Sequence, residues 1–172
     1  NVFAHIDDLA DVVSGVRELL TPNGTYVIEV QYFLDMVQNL EYDQIYHEHY
    51  SYFLVKPLKK YFENQGMQLI DVEPNLIKGG SMRCVLQLQK GSREVESSVS
   101  KHIKQEEDFG FPNKVVFDNY SNKILESKND FQKVINELLR QNKKISGYGA
   151  SPTCTTLIYH YNMGKYLDYL YD

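Results

Sequence analysis

A helical pattern followed at once by a buried strand is the feature that most constrains the fold. Apolar residues recur at helical spacing over residues 9–20, and Asp7 or Asp8 is a suitable N-cap. Residues 22–24, Pro-Asn-Gly, end this helix. Residues 24–30 are largely apolar on both faces, as in a parallel strand that helices cover. The pattern predicts an α/β protein, in which ligands lie beyond the carboxyl ends of the strands.

The remaining sequence continues this mixture of helices and strands. The alternation over residues 67–73 and 81–90 predicts two antiparallel strands at the edge of a sheet. The polar residues 91–110 indicate a linker or an exposed helix. Further helices are predicted over residues 57–66, 112–142 and 155–161, and a short strand that enters a glycine turn over residues 143–151.

Composition excludes several classes of protein. The chain is 42% hydrophobic, which is typical of a globular protein, and its net charge of −5 disfavours binding to nucleic acid. Cys84 and Cys154 form no CxxC pair, so neither a zinc site nor a disulfide framework is indicated. No signal peptide or membrane-length apolar run is present, and we expect a cytoplasmic protein. The abrupt first and last residues suggest a fragment, and the oligomeric state stays open.

The densest group of reactive side chains lies in residues 43–53, which contain two histidines, two acids and three tyrosines. A histidine can act as a general base near neutral pH, a carboxylate can orient it, and a tyrosine hydroxyl can stabilise an enolate oxygen. Two other interpretations are a solvated polar loop and a metal site formed by His47 and His49. The helical HExxH zinc motif would require histidine at position 51, where Ser51 stands.

Two glycine turns are further candidates for ligand binding. Gly79-Gly80-Ser81, with Lys78 and Arg83 beside it, is either a tight hairpin or a close approach to a substrate. Residues 147–150, Gly-Tyr-Gly-Ala, form a strand-to-helix turn of the kind that binds phosphates. The full dinucleotide fingerprint would need glycine at position 152, which is Pro152.

Together these motifs resemble those of the sugar C-methyltransferases that act on nucleotide-linked keto-sugars. The resemblance covers most of the chain, and its second stretch is the most specific. It depends on four stretches: NVFAHIDDL at 1–9, YDQIYHEHYSYF at 42–53, GGSMR at 79–83 and GYGAS at 147–151.

The resemblance implies a fold and a domain organisation. Residues 1–92 would be the second half of a class I, Rossmann-like methyltransferase domain. Residues 93–110 would be a linker, and residues 111–172 the start of a C-terminal α/β domain. The glycine-rich S-adenosylmethionine loop would lie upstream of this chain, and zinc would be bound only in an N-terminal module that the chain does not contain.

The resemblance also implies a mechanism, in which a base removes the proton alpha to a sugar ketone and the enolate attacks the methyl group of S-adenosylmethionine. Its expected catalytic residues are His49 as the base, assisted by Glu48 and Tyr46. Asn1 and His5 would contact the cofactor. Residues expected to bind the nucleotide-sugar are Lys78, Gly79, Gly80, Ser81 and Arg83.

Two alternatives remain open on the sequence alone. One is a non-catalytic module that binds a nucleotide or nucleotide-sugar through the turn at Gly147. The other is a fragment of a nicotinamide-dependent oxidoreductase, against which Pro152 argues.

Overall fold

A computed structural model describes residues 2–172, which form two compact units. The first unit extends to Asn39 and resumes over Glu48–Asn113. The second consists of Leu40–His47 and Lys114–Asp172. The domain boundaries expected at residues 92 and 111 stay predictions.

The predicted first helix and strand are confirmed. Helix α1 spans Leu9–Leu19, and its N-cap Asp8 accepts a hydrogen bond of 3.0 Å from the amide of Asp11. Strand β1 spans Thr25–Gln31. Local sequence therefore determines this part of the fold.

The sheet of the first unit has the order β1-β3-β2, where β2 is Met67–Asn75 and β3 is Ser81–Leu88. The antiparallel pairing of β2 with β3 is confirmed. Among the described residues β1 pairs with β3 alone, and this pairing is antiparallel, whereas a parallel one was expected. Helices also do not cover both of its faces, since Val27 is 49% exposed. The centre of the sheet is thus β3, and β1 and β2 run in the same direction on either side of it.

Three further helices complete the first unit. The sequence analysis missed α2, Phe33–Asn39, which directly follows β1. Helix α3 spans Val55–Asn64 and ends before Gly66, whose φ of +71° lies in the left-handed region that favours glycine. Residues 93–110, where a linker is expected, contain α4, Ser97–Phe109. Because α4 buries three side chains and packs on β2 and α3, it is part of this unit.

The second unit contains the long helix α5, Lys114–Arg140, followed by β4, Ile145–Tyr148, and α6, Pro152–His160. Strand β5, Leu167–Tyr171, pairs in parallel with β4. The predicted turn between β4 and a helix is confirmed, and Gly149 adopts a φ of +98° there. Short 3-10 helices occur at Phe3–His5 and Ile77–Gly79 in the first unit and at Met163–Lys165 in the second.

The segment Leu40–His47 belongs to the second unit through its own contacts. The Thr156 hydroxyl donates a hydrogen bond of 2.7 Å to the carbonyl of Ile45. The ring of Tyr42 meets that of His160 edge to face, with centroids 5.0 Å apart. Across residues 2–172, none of the helices combines the length and the apolar character needed to cross a membrane.

Candidate functional site

A small cleft lies at the carboxyl end of β1 and brings together three of the residues singled out from the sequence. These are His5, His49 and Lys78, which are far apart along the chain. The position agrees with the rule that ligands of α/β proteins lie beyond the carboxyl ends of strands. The cleft is also lined by Ala4, Glu29, Val30 and Gln31.

Two imidazoles and a carboxylate form the reactive part of this cleft. The rings of His5 and His49 meet edge to face, with centroids 4.9 Å apart. The Nδ1 atom of His5 is 3.9 Å from Oε2 of Glu48. The His5 side chain is 32% exposed, so the cluster is open to solvent. Such a group can accept a proton and stabilise the imidazolium that results.

Backbone hydrogen bonds fix the segment that carries His49. The amide of Tyr50 donates to the carbonyl of Ala4 at 2.9 Å, which holds this segment beside His5. The amide of Phe33 donates to the carbonyl of Phe53 at 3.0 Å, and Tyr32 forms a parallel bridge with Phe53. The segment is therefore held against both the N-terminal 3-10 helix and the residues that follow β1.

The Gly79-Gly80 turn is held tightly by α2. Gly80 has a φ of +151°, and a Cβ atom there would lie 2.5 Å from the Cβ atom of Asp35. Asn39 Nδ2 donates to the carbonyl of Gly79 at 3.1 Å, and the amide of Tyr32 donates to that of Gly80 at 3.2 Å. Glycine at position 80 is thus required by the close approach of α2.

Ser81 and Arg83 already have partners within the protein. Ser81 is fully buried, and its hydroxyl donates a hydrogen bond of 2.9 Å to the carbonyl of Ile77. The guanidinium of Arg83 pairs with the carboxylates of Glu29, at 3.2 Å, and Glu73, at 3.4 Å. Of the polar residues predicted to bind substrate, Lys78 alone lines the cleft.

Two predicted residues fall outside the described part of the first unit. Tyr46 lies in the second unit, where its ring is 6.0 Å from that of His47. Asn1 lies outside the described residues. Among residues 2–172, no group of three or more His, Cys, Asp or Glu side chains is arranged to hold a metal ion.

Gln31 was not singled out from the sequence, and its buried Nε2 atom has no hydrogen-bond partner within the described part of the chain. Gln31 is the last residue of β1 and lines the cleft. Its signal in the sequence was a polar residue placed directly after an apolar strand, where the α/β rule predicts ligands. Glu29 carries the same signal, but it is paired with Arg83.

A larger cavity of about 640 Å³ lies elsewhere in the first unit and contains none of the predicted site residues. His102 is 6% exposed there, and its Nδ1 atom is 2.8 Å from the carbonyl of Ser98. Burial raises the pKa of Asp35, and the nearby His102 partly offsets this rise. The walls of this cavity come from α2, β2 and α4 and include Tyr32, Leu34, Pro74 and Phe109.

Beside this cavity, Glu106 is a fully buried carboxylate with 1% exposure. It accepts hydrogen bonds from the amides of Val55 and Lys56 and, at 3.1 Å, from the hydroxyl of Tyr32. Burial raises the pKa of Glu106, although these three hydrogen bonds lower it. Burial also raises the pKa of Tyr32, and the adjacent Glu106 raises it further.

Comparison with known proteins defines the class as a C-methyltransferase. Residues 76–172, which are more than half of the chain, match the family described as C-methyltransferase C-terminal domain. The chain therefore belongs to the C-methyltransferase family. The match begins at Leu76, so it includes β3 and α4 of the first unit as well as all of α5 and the residues after it.

The chain is also similar to a protein of Streptomyces niveus described as C-methyltransferase NovU. The two are 28% identical over 156 residues, which is 91% of this chain. The chain spans 37% of the length of that relative. The matched region therefore includes the segment that carries His49 and extends well beyond the family match.

Proposed function

We propose that the full-length protein is an S-adenosylmethionine-dependent C-methyltransferase that acts on a nucleotide-linked keto-sugar. The observation that carries this proposal is the meeting of His5, Glu48, His49 and Lys78 at the carboxyl end of β1. The C-methyltransferase family match supports the reaction class. The cleft supplies a base and a cation for a phosphorylated substrate.

His49 would act as the general base. It would take the proton from the carbon alpha to the ketone, and the electron pair of the broken C–H bond would move to form the enolate. His5 lies against His49, and Glu48 lies beside His5, so these two side chains would orient the base. The hydroxyl of Tyr46 would assist by stabilising the enolate.

The methyl donor supplies an electrophilic methyl group on a sulfonium. The enolate carbon would form the new C–C bond as the S–CH₃ bond breaks, and the sulfur would leave as a neutral thioether. His49 would retain the substrate proton until it is released to solvent. His5 would lie next to the donor, because its ring is 4.9 Å from that of the proposed base.

Lys78 would bind a phosphate of the nucleotide. Its side chain is exposed at the rim of the cleft, on the turn that Gly79 and Gly80 form. Arg83 is held by Glu29 and Glu73, so it would act indirectly by fixing Glu29 in the wall of the cleft. Ser81 and the two glycines would shape the turn.

We also propose that the first unit is the second half of a class I, Rossmann-like methyltransferase domain, followed by the start of a C-terminal α/β domain. The mixed α/β fold and the sheet in which β1 and β2 share one direction support this assignment. The zinc that the resemblance implies would belong to another part of the protein.

The test uses the full-length protein in two measurements. Calorimetric titration with S-adenosylhomocysteine should show binding of micromolar affinity or tighter. Mass spectrometry should then show methyl transfer to a nucleotide-linked keto-sugar, with a loss on the order of 10²- to 10⁴-fold in kcat for His49→Ala. His47→Ala, a histidine two residues away, is the matched control and should retain most activity.

An unaltered rate in His49→Ala would remove His49 as the base. A folded protein that binds no S-adenosylhomocysteine but binds a nucleotide would instead favour the non-catalytic binding module. Its turn at Gly147 lies between β4 and α6, where backbone amides at the helix start can meet a phosphate.

A further inference from the structure

Gln31 has a buried amide that the fold of the chain does not use. Its Nε2 atom is inaccessible to solvent, and it meets no acceptor among the described residues. Buried polar groups in proteins nearly always have a partner, so each exception requires an explanation. An unpaired buried donor lowers the stability of the protein unless a ligand provides the missing acceptor.

The backbone at this position is well defined. Gln31 is paired with Ser81 at the end of the β1–β3 ladder, and the next amide, that of Tyr32, donates to the carbonyl of Gly80. Residues two apart on a strand project from the same face, so Gln31 lies beside Glu29. Glu29 differs from it because its Oε2 atom accepts hydrogen bonds from Arg83 and Asn75.

Gln31 is one of the residues that line the same cleft as His49. A base that takes a proton from the carbon alpha to a ketone lies close to the ketone oxygen, which is two bonds from that carbon. A neutral donor near this oxygen stabilises the negative charge that develops on it during proton removal. An amide suits this task because, unlike an ammonium or imidazolium group, it cannot lose its proton to the enolate.

We propose that Gln31 is a further catalytic residue, whose Nε2 group donates a hydrogen bond to the ketone oxygen of the substrate and stabilises the enolate. This assignment rests on the proposed C-methyltransferase reaction. In the ligand-free protein the donor stays unpaired until a substrate oxygen enters the cleft. The free protein therefore lacks the stabilisation of one hydrogen bond. Gln31 thereby lowers stability in the free protein and lowers the barrier in the complex.

The test is Gln31→Leu in the full-length protein, in which the melting temperature should rise and kcat should fall. Removal of an unpaired buried amide should raise the melting temperature of the ligand-free protein. Loss of the enolate donor should lower kcat on the order of 10²-fold while KM changes little. Gln38→Leu is the matched control, because Gln38 is an exposed residue of α2 outside the cleft, and it should change neither quantity.

A second variant, Gln31→Glu, keeps the shape of the side chain and replaces the donor by a carboxylate that repels the enolate. Its kcat should fall further than that of Gln31→Leu. The proposal is overturned if both variants retain wild-type kcat, or if Gln31→Leu lowers the melting temperature, which would reveal a partner in the free protein. A wild-type protein without methyl transfer would overturn the reaction itself, whereas an active wild type with fully active variants would overturn Gln31 alone.

Discussion

Two buried polar groups of the first unit, the carboxylate of Glu106 and the Nε2 atom of Gln31, are in opposite states. The carboxylate of Glu106 accepts hydrogen bonds from two amides and one hydroxyl. The Nε2 atom of Gln31 has no hydrogen-bond partner among residues 2–172. One buried group has its hydrogen bonds satisfied by the fold, whereas the other is left with an unused donor in a cleft.

This difference indicates that Glu106 has a structural role, whereas Gln31 is proposed to act in the reaction. Helix α3 begins after Leu54, which provides no side-chain cap, and Glu106 replaces that cap from α4. The same carboxylate binds Tyr32, so it joins the residues after β1 to the start of α3. The cleft near His49, in contrast, contains side chains that are partly exposed, among them His5 and His49.

The comparison predicts its largest effect on stability at Glu106. Glu106→Ala leaves three donors without an acceptor and a cavity in place of the side chain, so we expect a loss of about 3 kcal/mol in the free energy of unfolding. Urea denaturation measures this loss. Glu107→Ala removes the neighbouring glutamate, whose partner Lys56 is exposed, and should cost less than about 1 kcal/mol. Equal losses for the two variants would contradict the architectural role of Glu106.

Gly80→Ala should have the next largest effect, a loss of about 2 kcal/mol in the free energy of unfolding. Its added Cβ atom would collide with Asp35, and alanine disfavours a φ of +151°. Gly15→Ala in α1 is the control, since its Cβ atom would meet no atom within 4 Å, and we expect a gain of about 1 kcal/mol. A neutral Gly80→Ala variant would show that α2 does not constrain the turn.

A smaller effect concerns pH. The pKa of Glu106 is raised in the folded protein, mainly by burial, so the folded state holds this proton more tightly than the unfolded chain. The stability that this proton binding contributes is fully present below the ordinary pKa of 4.5, and it is lost as the pH rises through the raised pKa of Glu106. Thermal melts of wild type and Glu106→Gln from pH 4 upward should therefore show the wild-type advantage decreasing with pH. Asp35, whose pKa is also raised, is present in both proteins, so its effect cancels when the two melting temperatures are subtracted.

The smallest expected effect on stability is at the cleft itself. His49→Ala should change the free energy of unfolding by less than about 0.5 kcal/mol, because the side chain is only partly buried and open to solvent. Chemical denaturation of this variant beside wild type is the measurement. A loss of stability comparable to that of Glu106→Ala would show that His49 has a structural role. Such a result would weaken the assignment of His49 as the base.

The features that the sequence predicted correctly are local ones. Asp8 caps α1, Gly66 follows α3, and β2 pairs with β3, and each of these depends on residues that are near neighbours in the chain. The seven-residue α2 was missed because two turns are too short to show a periodic pattern.

Long-range packing explains what the sequence did not predict. The polar residues before and within α4 indicated a linker or an exposed helix, and the folded chain forms a helix there that buries His102 and Glu106. The candidate cleft was predicted in part, because His49 and Lys78 stood in recognisable motifs. Gln31, another residue of the cleft, stands after an apolar strand, but the absence of a hydrogen-bond partner for its amide has no signal in the sequence.

The position of β3 between β1 and β2 has a consequence for the order of folding. Asn75 faces Ser81 across a short connection, whereas Thr25 faces Gln87 across a long one. Closure of the longer loop loses more chain entropy, so we expect the β2–β3 hairpin to form before β1 joins it. Among the described strands, β1 pairs with β3 alone, and β3 is synthesised after it. The wall of the cleft that Gln31 forms would therefore be among the last parts of the first unit to assemble.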